Sequence, residues 1–109
     1  MDNKHPALLI ASDFIKANLH LKISMFDLKQ HTKFSERSLQ MIFKKHLNKS
    51  PFEYIEEQRL LKAYELIKQY KDSRKTTDIA REVGFRHLGR FSVNFKKRFG
   101  IHPSVLARS

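Results

Sequence analysis

The feature that most constrains this chain is an internal repeat. Shifting the sequence by 52 residues lays the segment from Leu39 to Pro51 over that from Phe91 to Pro103. Leu39 then meets Phe91, Phe43 meets Phe95, and Lys44-Lys45 meets Lys96-Lys97. Leu47 meets Phe99, Asn48 meets Gly100, and Pro51 meets Pro103. Upstream the register slips by one, so that Leu28 meets Ile79 and Lys29 meets Ala80. Chance supplies two or three such matches, but not the ordered set. The chain holds two copies of a short helix, a tight turn and a longer basic helix.

Helical signals run from end to end, and no stretch alternates apolar and polar residues as a strand would. Pro6 suits a first helical turn, after which Leu8, Ala11, Ile15 and Leu19 fall on one face. Ser24 with Asp27 resembles a capping box opening a short helix through about Gln30. Ser35 caps the next helix, which reaches about Leu47, where Asn48 takes the left-handed stop. Pro51 begins a long helix to about Gln69 with a stripe of Leu60, Ala63, Tyr64 and Ile67. Tyr70 to Lys75 is polar and reads as a loop. Thr76 or Thr77 is expected to cap a short helix ending at Gly84, and a last main helix covers His87 to Phe99. The fold class is therefore all-α. Two helix-turn-helix halves, residues 7–50 and 76–109, are joined by a linker helix over 51–69, six main helices in all with a possible short turn after Pro103.

A chain of 109 residues is one domain, or two very small ones sharing a scaffold. No run approaches the ~20 apolar residues that cross a bilayer, and the start of the chain shows no signal-peptide pattern. With no cysteine there is neither a disulfide framework nor a zinc-thiolate site. The expected location is the cytoplasm, on the nucleoid. Lys and Arg number 22 against 11 Asp and Glu, a net charge of +11. Such an excess points to a polyanionic partner, nucleic acid before an anionic membrane.

The two longer helices each separate two faces. Leu39, Ile42, Phe43 and Leu47 form one apolar stripe, and Leu88, Phe91, Phe95 and Phe99 form its counterpart; both are core. On the opposite side Arg37, Gln40, Met41 and Lys44 recur at i, i+3, i+4 and i+7, and the matching set is Gly89, Ser92, Val93 and Lys96. A helix in the major groove presents such a stripe to base edges. Arg reads guanine, Gln reads adenine, and Met or Val packs on a thymine methyl. The bland alternative is a solvated helix face, which either stripe alone would favour. Its occurrence twice, each time after a short helix and a turn, reverses the preference.

Lys44, Lys45, Lys96, Lys97 and Arg98 sit late in these helices, and Arg86 and Arg90 flank the start of the second. From there they reach phosphates, which supply affinity without sequence information. Ser35 and Ser38, near a helix N-terminus, are also placed to donate to a phosphate, although Ser35 reads equally well as a simple cap. About nineteen residues of linker helix at 1.5 Å each span roughly 28 Å. With the helix ends added, that approaches the ~34 Å between successive major grooves on one face of B-DNA. One chain is thus expected to read two grooves, with helices 35–47 and 87–99, without dimerising.

The run Asp78-Ile-Ala-Arg-Glu-Val-Gly-Phe85, then Phe91-Ser-Val-Asn-Phe-Lys-Lys-Arg-Phe-Gly100 and Pro103, resembles the signature of the AraC/XylS family of bacterial transcription regulators. Ser35 through Pro51, followed by Tyr54 and Arg59-Leu60, resembles the other half of the family's domain. The resemblance implies two helix-turn-helix units on a linker helix, binding an asymmetric duplex DNA site as a monomer and contacting RNA polymerase. It places Arg37, Gln40 and Met41 at base-reading positions of the first recognition helix, and His87, Leu88, Ser92 and Val93 at those of the second. Leu88 also lies on the core stripe by spacing, so partial exposure is expected. Lys29 and Lys33 stand where the family often has small residues, and Asn48 where Gly is common. Gly89 replaces Ser or a longer polar residue. That change either weakens base reading by the second helix or lets its backbone approach DNA closely.

An enzyme is not expected. The six histidines form no metalloprotease pattern, and no Gly-rich phosphate loop follows a strand. Neither a metal nor a cofactor is implied. A membrane-binding amphipath is disfavoured because the Phe stripes belong to compact repeats. The six helices consume the whole sequence, leaving no room in it for a sensing domain.

Overall fold

The computed structural model describes residues 5–109, and among them every regular element is helical. In chain order these are α1 (Pro6–Ala17), α2 (Met25–Thr32), α3 (Glu36–Leu47), α4 (Pro51–Tyr70), a 3-10 turn (Lys71–Ser73), α5 (Thr76–Glu82), α6 (Leu88–Phe99) and α7 (Pro103–Ala107). The chain forms two compact units, one ending at Glu57 and the other beginning at Gln58. The division falls inside α4, which gives its first turns to one unit and the remainder to the other.

The repeat is longer than its basic helices suggest. The same 52-residue displacement carries Leu8, Ala11 and Ile15 of α1 onto Leu60, Ala63 and Ile67 of α4, all of them buried. It also carries Tyr54 and Ile55 onto Leu106 and Ala107 of α7. Each unit is therefore built from four helical segments: a leading helix, a short helix, a basic helix and a closing helix begun by a buried proline, Pro51 or Pro103. Proline suits that place because its fixed φ matches the helix and its missing N–H is not needed there.

In the first unit Leu28, Leu39, Phe43, Tyr54 and Ile55 close over Ala7, Leu8, Ala11 and Ile15, with Phe14, Leu19, Phe34, Ile42 and Leu47 around the margin. One polar brace crosses this packing, a 2.8 Å hydrogen bond between the Ser12 and Tyr54 hydroxyls. The second unit buries Ile79, Ala80, Val83, Phe91, Phe95 and Leu106 against Leu60, Ala63 and Ile67. Its stripe is aromatic: Phe85 lies 4.9 Å from Phe91, Phe91 5.5 Å from Phe95, and Phe95 4.7 Å from Phe99 between ring centroids. Edge-inclined rings at such distances gain beyond the area they bury.

The helix ends decide how the basic helices are presented. The Ser24–Asp27 capping box forms as expected: Asp27 N–H donates to Ser24 Oγ at 3.1 Å and Ser24 N–H to the Asp27 carboxylate at 2.9 Å. Those bonds hold the Asp27 carboxyl below the usual carboxylate range. α2 continues past Gln30 to Thr32, because Thr32 Oγ donates to the Leu28 carbonyl at 2.8 Å and accepts from Phe34 N–H at 3.1 Å. This buried hydroxyl is thus fully used in shaping the turn. Lys33 then carries the left-handed conformation (φ 64°), which a glycine adopts without strain.

In the second unit, α5 ends at Glu82 rather than Gly84. Gly84 N–H reaches the Arg81 carbonyl at 3.0 Å and Phe85 N–H the Ala80 carbonyl at 2.9 Å, a Schellman stop around Gly84 at φ 109°. Neither Thr76 nor Thr77 caps α5. The cap position is Lys75, whose side chain makes no capping bond, and the threonines lie inside the first turn. Tyr70 belongs to α4, and the expected loop after it is partly a 3-10 turn.

Lys33 offers a direct test of turn strain. A side chain in the left-handed region costs roughly 1–2 kcal/mol that glycine avoids, part of which glycine gives back as unfolded-state entropy. Lys33→Gly is expected to stabilise the chain by about 1 kcal/mol in urea unfolding. An unchanged or lower midpoint would show that contacts of the lysine stem outweigh the strain.

Candidate nucleic-acid interface

Both basic helices bury their apolar stripe and turn the opposite face outward. In α3, Leu39 and Phe43 are fully buried, whereas Arg37, Met41, Lys44 and Lys45 are exposed and Gln40 is half-buried. In α6, Phe91 and Phe95 are buried, Gly89, Arg90, Val93, Lys96 and Lys97 are exposed, and Ser92 is half-buried. The informative pair is apolar. Met41 is 61% exposed and Val93 63% exposed, at equivalent places in the two copies. A single exposed apolar side chain is ordinary. Two at the same register, each framed by cations on a helix that follows a short helix and a turn, set these faces apart from an ordinary surface.

Three further placements refine the sequence reading. Leu88 is half-buried against the second unit's core, so it belongs more to packing than to the outer face. His87 is the exposed cap residue of α6 without a capping bond, which leaves its ring available, and Arg86 is exposed beside it. Ser35 is the cap of α3. Its Oγ accepts from Ser38 N–H at 3.2 Å and donates to Ser38 Oγ at 3.1 Å, so Ser38 is the hydroxyl with a proton left to give.

Charge on these faces is largely uncompensated. Ion pairs form elsewhere, between Lys62 and Glu65, Arg74 and Glu82, and Arg81 and Asp78. Among the described residues, none of Arg37, Lys45, Arg86, Arg90, Lys96 and Lys97 joins a carboxylate in such a pair. Lys44 does feel one acid. The Ser50 N–H bonded to it at 2.7 Å holds the Glu53 carboxyl below the usual carboxylate range, and the charges of Lys44 and Lys49 add a smaller push in the same direction.

Glu53 was not singled out from the sequence, yet Ser50 and Glu53 form a second capping box opening α4. The Ser-Pro-x-Glu spelling was the available signal. Both residues line a groove of about 720 Å³ with Gln40, Met41, Lys44 and Lys45. No group of three or more metal-ligating side chains occurs among the described residues, and no helix there is long and apolar enough to cross a membrane.

The same helical fold occurs in known proteins. A family model described as "Helix-turn-helix domain" matches residues 28–109. A probable AraC family transcriptional regulator from Rhodopseudomonas palustris CGA009 superposes with a TM-score of 0.88 at 26% identity, covering 95% of this chain and 96% of that one. The chain belongs to the AraC family of helix-turn-helix transcriptional regulators. A second solved structure, an AraC-type DNA-binding-domain regulator from Chromobacterium violaceum, gives a TM-score of 0.86 at 29% identity over 94% of this chain and 89% of that chain.

Curated relatives at higher identity are longer. The XylDLEGF operon transcriptional activator of Pseudomonas putida is 35% identical over 105 residues, 95% of this chain but 33% of that protein. The lactose operon transcription activator of Staphylococcus xylosus is 35% identical over 94 residues, 86% of this chain and 33% of that protein. The chain thus spans about one third of the length of these curated relatives.

Proposed function

We propose that this chain regulates transcription by binding a specific duplex DNA site, placing α3 and α6 in successive major grooves with one chain per site. The observation that carries this reading is the matched outer face, with Met41 and Val93 exposed at the same register among cations and short polar groups. Arg37 and Gln40 are the groups suited to bidentate base contacts in the first half-site. Met41, Ser92, Val93 and His87 complete the base-reading set, with Leu88 at its edge. Ser38, Lys44, Lys45, Arg86, Arg90, Lys96 and Lys97 are assigned to phosphates, together with Ser35 as far as its capping role allows. The relatives named as activators favour activation, for which contact with RNA polymerase is the expected second partner. Such work is done in the cytoplasm, on the nucleoid. No turnover and no cofactor enter this role.

Selection of bound duplexes from a random library, followed by footprinting, tests the reading. One chain should protect about two turns of an asymmetric sequence. On the selected site, Arg37→Ala should cost about 1–3 kcal/mol of discrimination at one base pair. Lys96→Ala should weaken every sequence by a similar factor. If Arg37→Ala lowers affinity evenly for all duplexes, Arg37 touches phosphate and the reading face is misassigned.

A further inference from the structure

Gly89 is the second residue of α6 and stands where the first copy has Arg37. A glycine is usually required for one of two internal reasons, a left-handed backbone or a lack of room for Cβ. Neither applies here. The glycines with positive φ are Gly84 and Gly100, and a Cβ built on Gly89 meets nothing within 4 Å. As a helical residue it is also a poorer choice than alanine. Nothing among the described residues asks for glycine at this place, on the exposed face of a helix otherwise well packed.

The next two base-facing residues, Ser92 and Val93, are short as well. Arg37, Gln40 and Met41 give the first copy long side chains, whereas Gly89, Ser92 and Val93 give the second almost none. Ser92 is half-buried and Val93 exposed, so both can meet a base edge only if the helix itself comes close. Resting on the DNA-binding role proposed above, we infer that Gly89 is a clearance residue and a determinant of specificity. The bare backbone at Gly89 lies against the duplex, which brings Val93 onto a thymine methyl and the Ser92 hydroxyl within hydrogen-bond reach of a base edge. The first half-site is read by reach and the second by close fit. A side chain at 89 would hold the helix away from the groove floor.

The test uses the whole chain with Gly89→Ala and Gly89→Gln, the latter long but uncharged. Dissociation constants on the selected duplex and thermal melting of the free protein are measured side by side. Gly89→Ala should raise the melting temperature by about 4 °C, because alanine is the better helix former. It should nevertheless weaken binding about tenfold, and Gly89→Gln about a hundredfold, as expected for overfilling a close contact. The salt dependence should stay parallel to that of the parent, since no charge changes. Equal or tighter binding by Gly89→Ala overturns the inference, and so does a fall in its melting temperature, which would reveal an internal need for glycine. Failure of the parent chain to retain any duplex would instead remove the DNA-binding role itself.

Discussion

Between about 50 and 200 mM salt, affinity for the selected duplex is expected to fall by about a thousandfold or more, linearly on logarithmic axes. The cause is counterion release. Each phosphate neutralised by Lys or Arg frees condensed cations, and six to ten such contacts give a loss of roughly 10³–10⁵ over that range. The net charge of +11 alone does not secure so steep a slope, because cations spent in internal ion pairs release nothing. What secures it is placement. Lys44, Lys45, Arg86, Arg90, Lys96 and Lys97 lie exposed on or beside the two outer faces, and none of them joins a carboxylate in an ion pair among the described residues. Lys96→Ala should reduce the slope by about 0.9, the share of one contact on B-DNA, while Ser92→Ala leaves it unchanged. A slope near zero in the parent chain would mean that the basic faces do not meet phosphates.

Much of this architecture was legible because burial repeats with helical spacing. The stripes Leu39–Phe43–Leu47 and Phe91–Phe95–Phe99 announced both basic helices, and Asn48 announced where the first stops, with Gly100 in the matching place of the second. The outer faces followed by subtraction. What escaped notice was the reach of the repeat. Leu8, Ala11 and Ile15 were read as one stripe and Leu60, Ala63 and Ile67 as part of another, yet at the same 52-residue spacing they are one structural position occupied twice.

The errors at helix ends have a common physical origin. At α5 two threonines looked like caps, but the Gly84 stop and the burial of Ile79 and Ala80 fix where the helix must lie, and Lys75 is left at its start. Packing overrode a local preference worth only about 1 kcal/mol. At Lys33 and Thr32 a turn usually served by small residues is carried instead by a buried hydroxyl. Single-residue propensity does not foresee that exchange, because it depends on Leu28 and Phe34 both being in place.

Phe95→Ala is expected to destabilise the second unit by about 3–5 kcal/mol and to leave much of it open. Phe95 is fully buried, and its ring neighbours are Tyr64 at 6.1 Å, Phe91 at 5.5 Å and Phe99 at 4.7 Å. Removing it deletes the middle member of an aromatic row and leaves a cavity that rigid neighbouring rings fill poorly. A unit of roughly fifty residues has little stability to lose, since small domains bury a lower fraction of their surface. The buried cluster to which Phe95 belongs is drawn wholly from residues after Gln58, so the damage should be regional. In hydrogen exchange, amides of α5, α6 and α7 should lose protection, while α1, α2 and α3 keep theirs around Leu28, Leu39 and Phe43. Phe43→Ala should give the opposite pattern, with Tyr54 as the ring it leaves behind at 5.7 Å. Either variant should lose most specific binding and retain the contacts of the surviving helix, seen as a half-length footprint at high protein concentration. Equal loss of protection in both units from Phe95→Ala would show a single cooperative core rather than two.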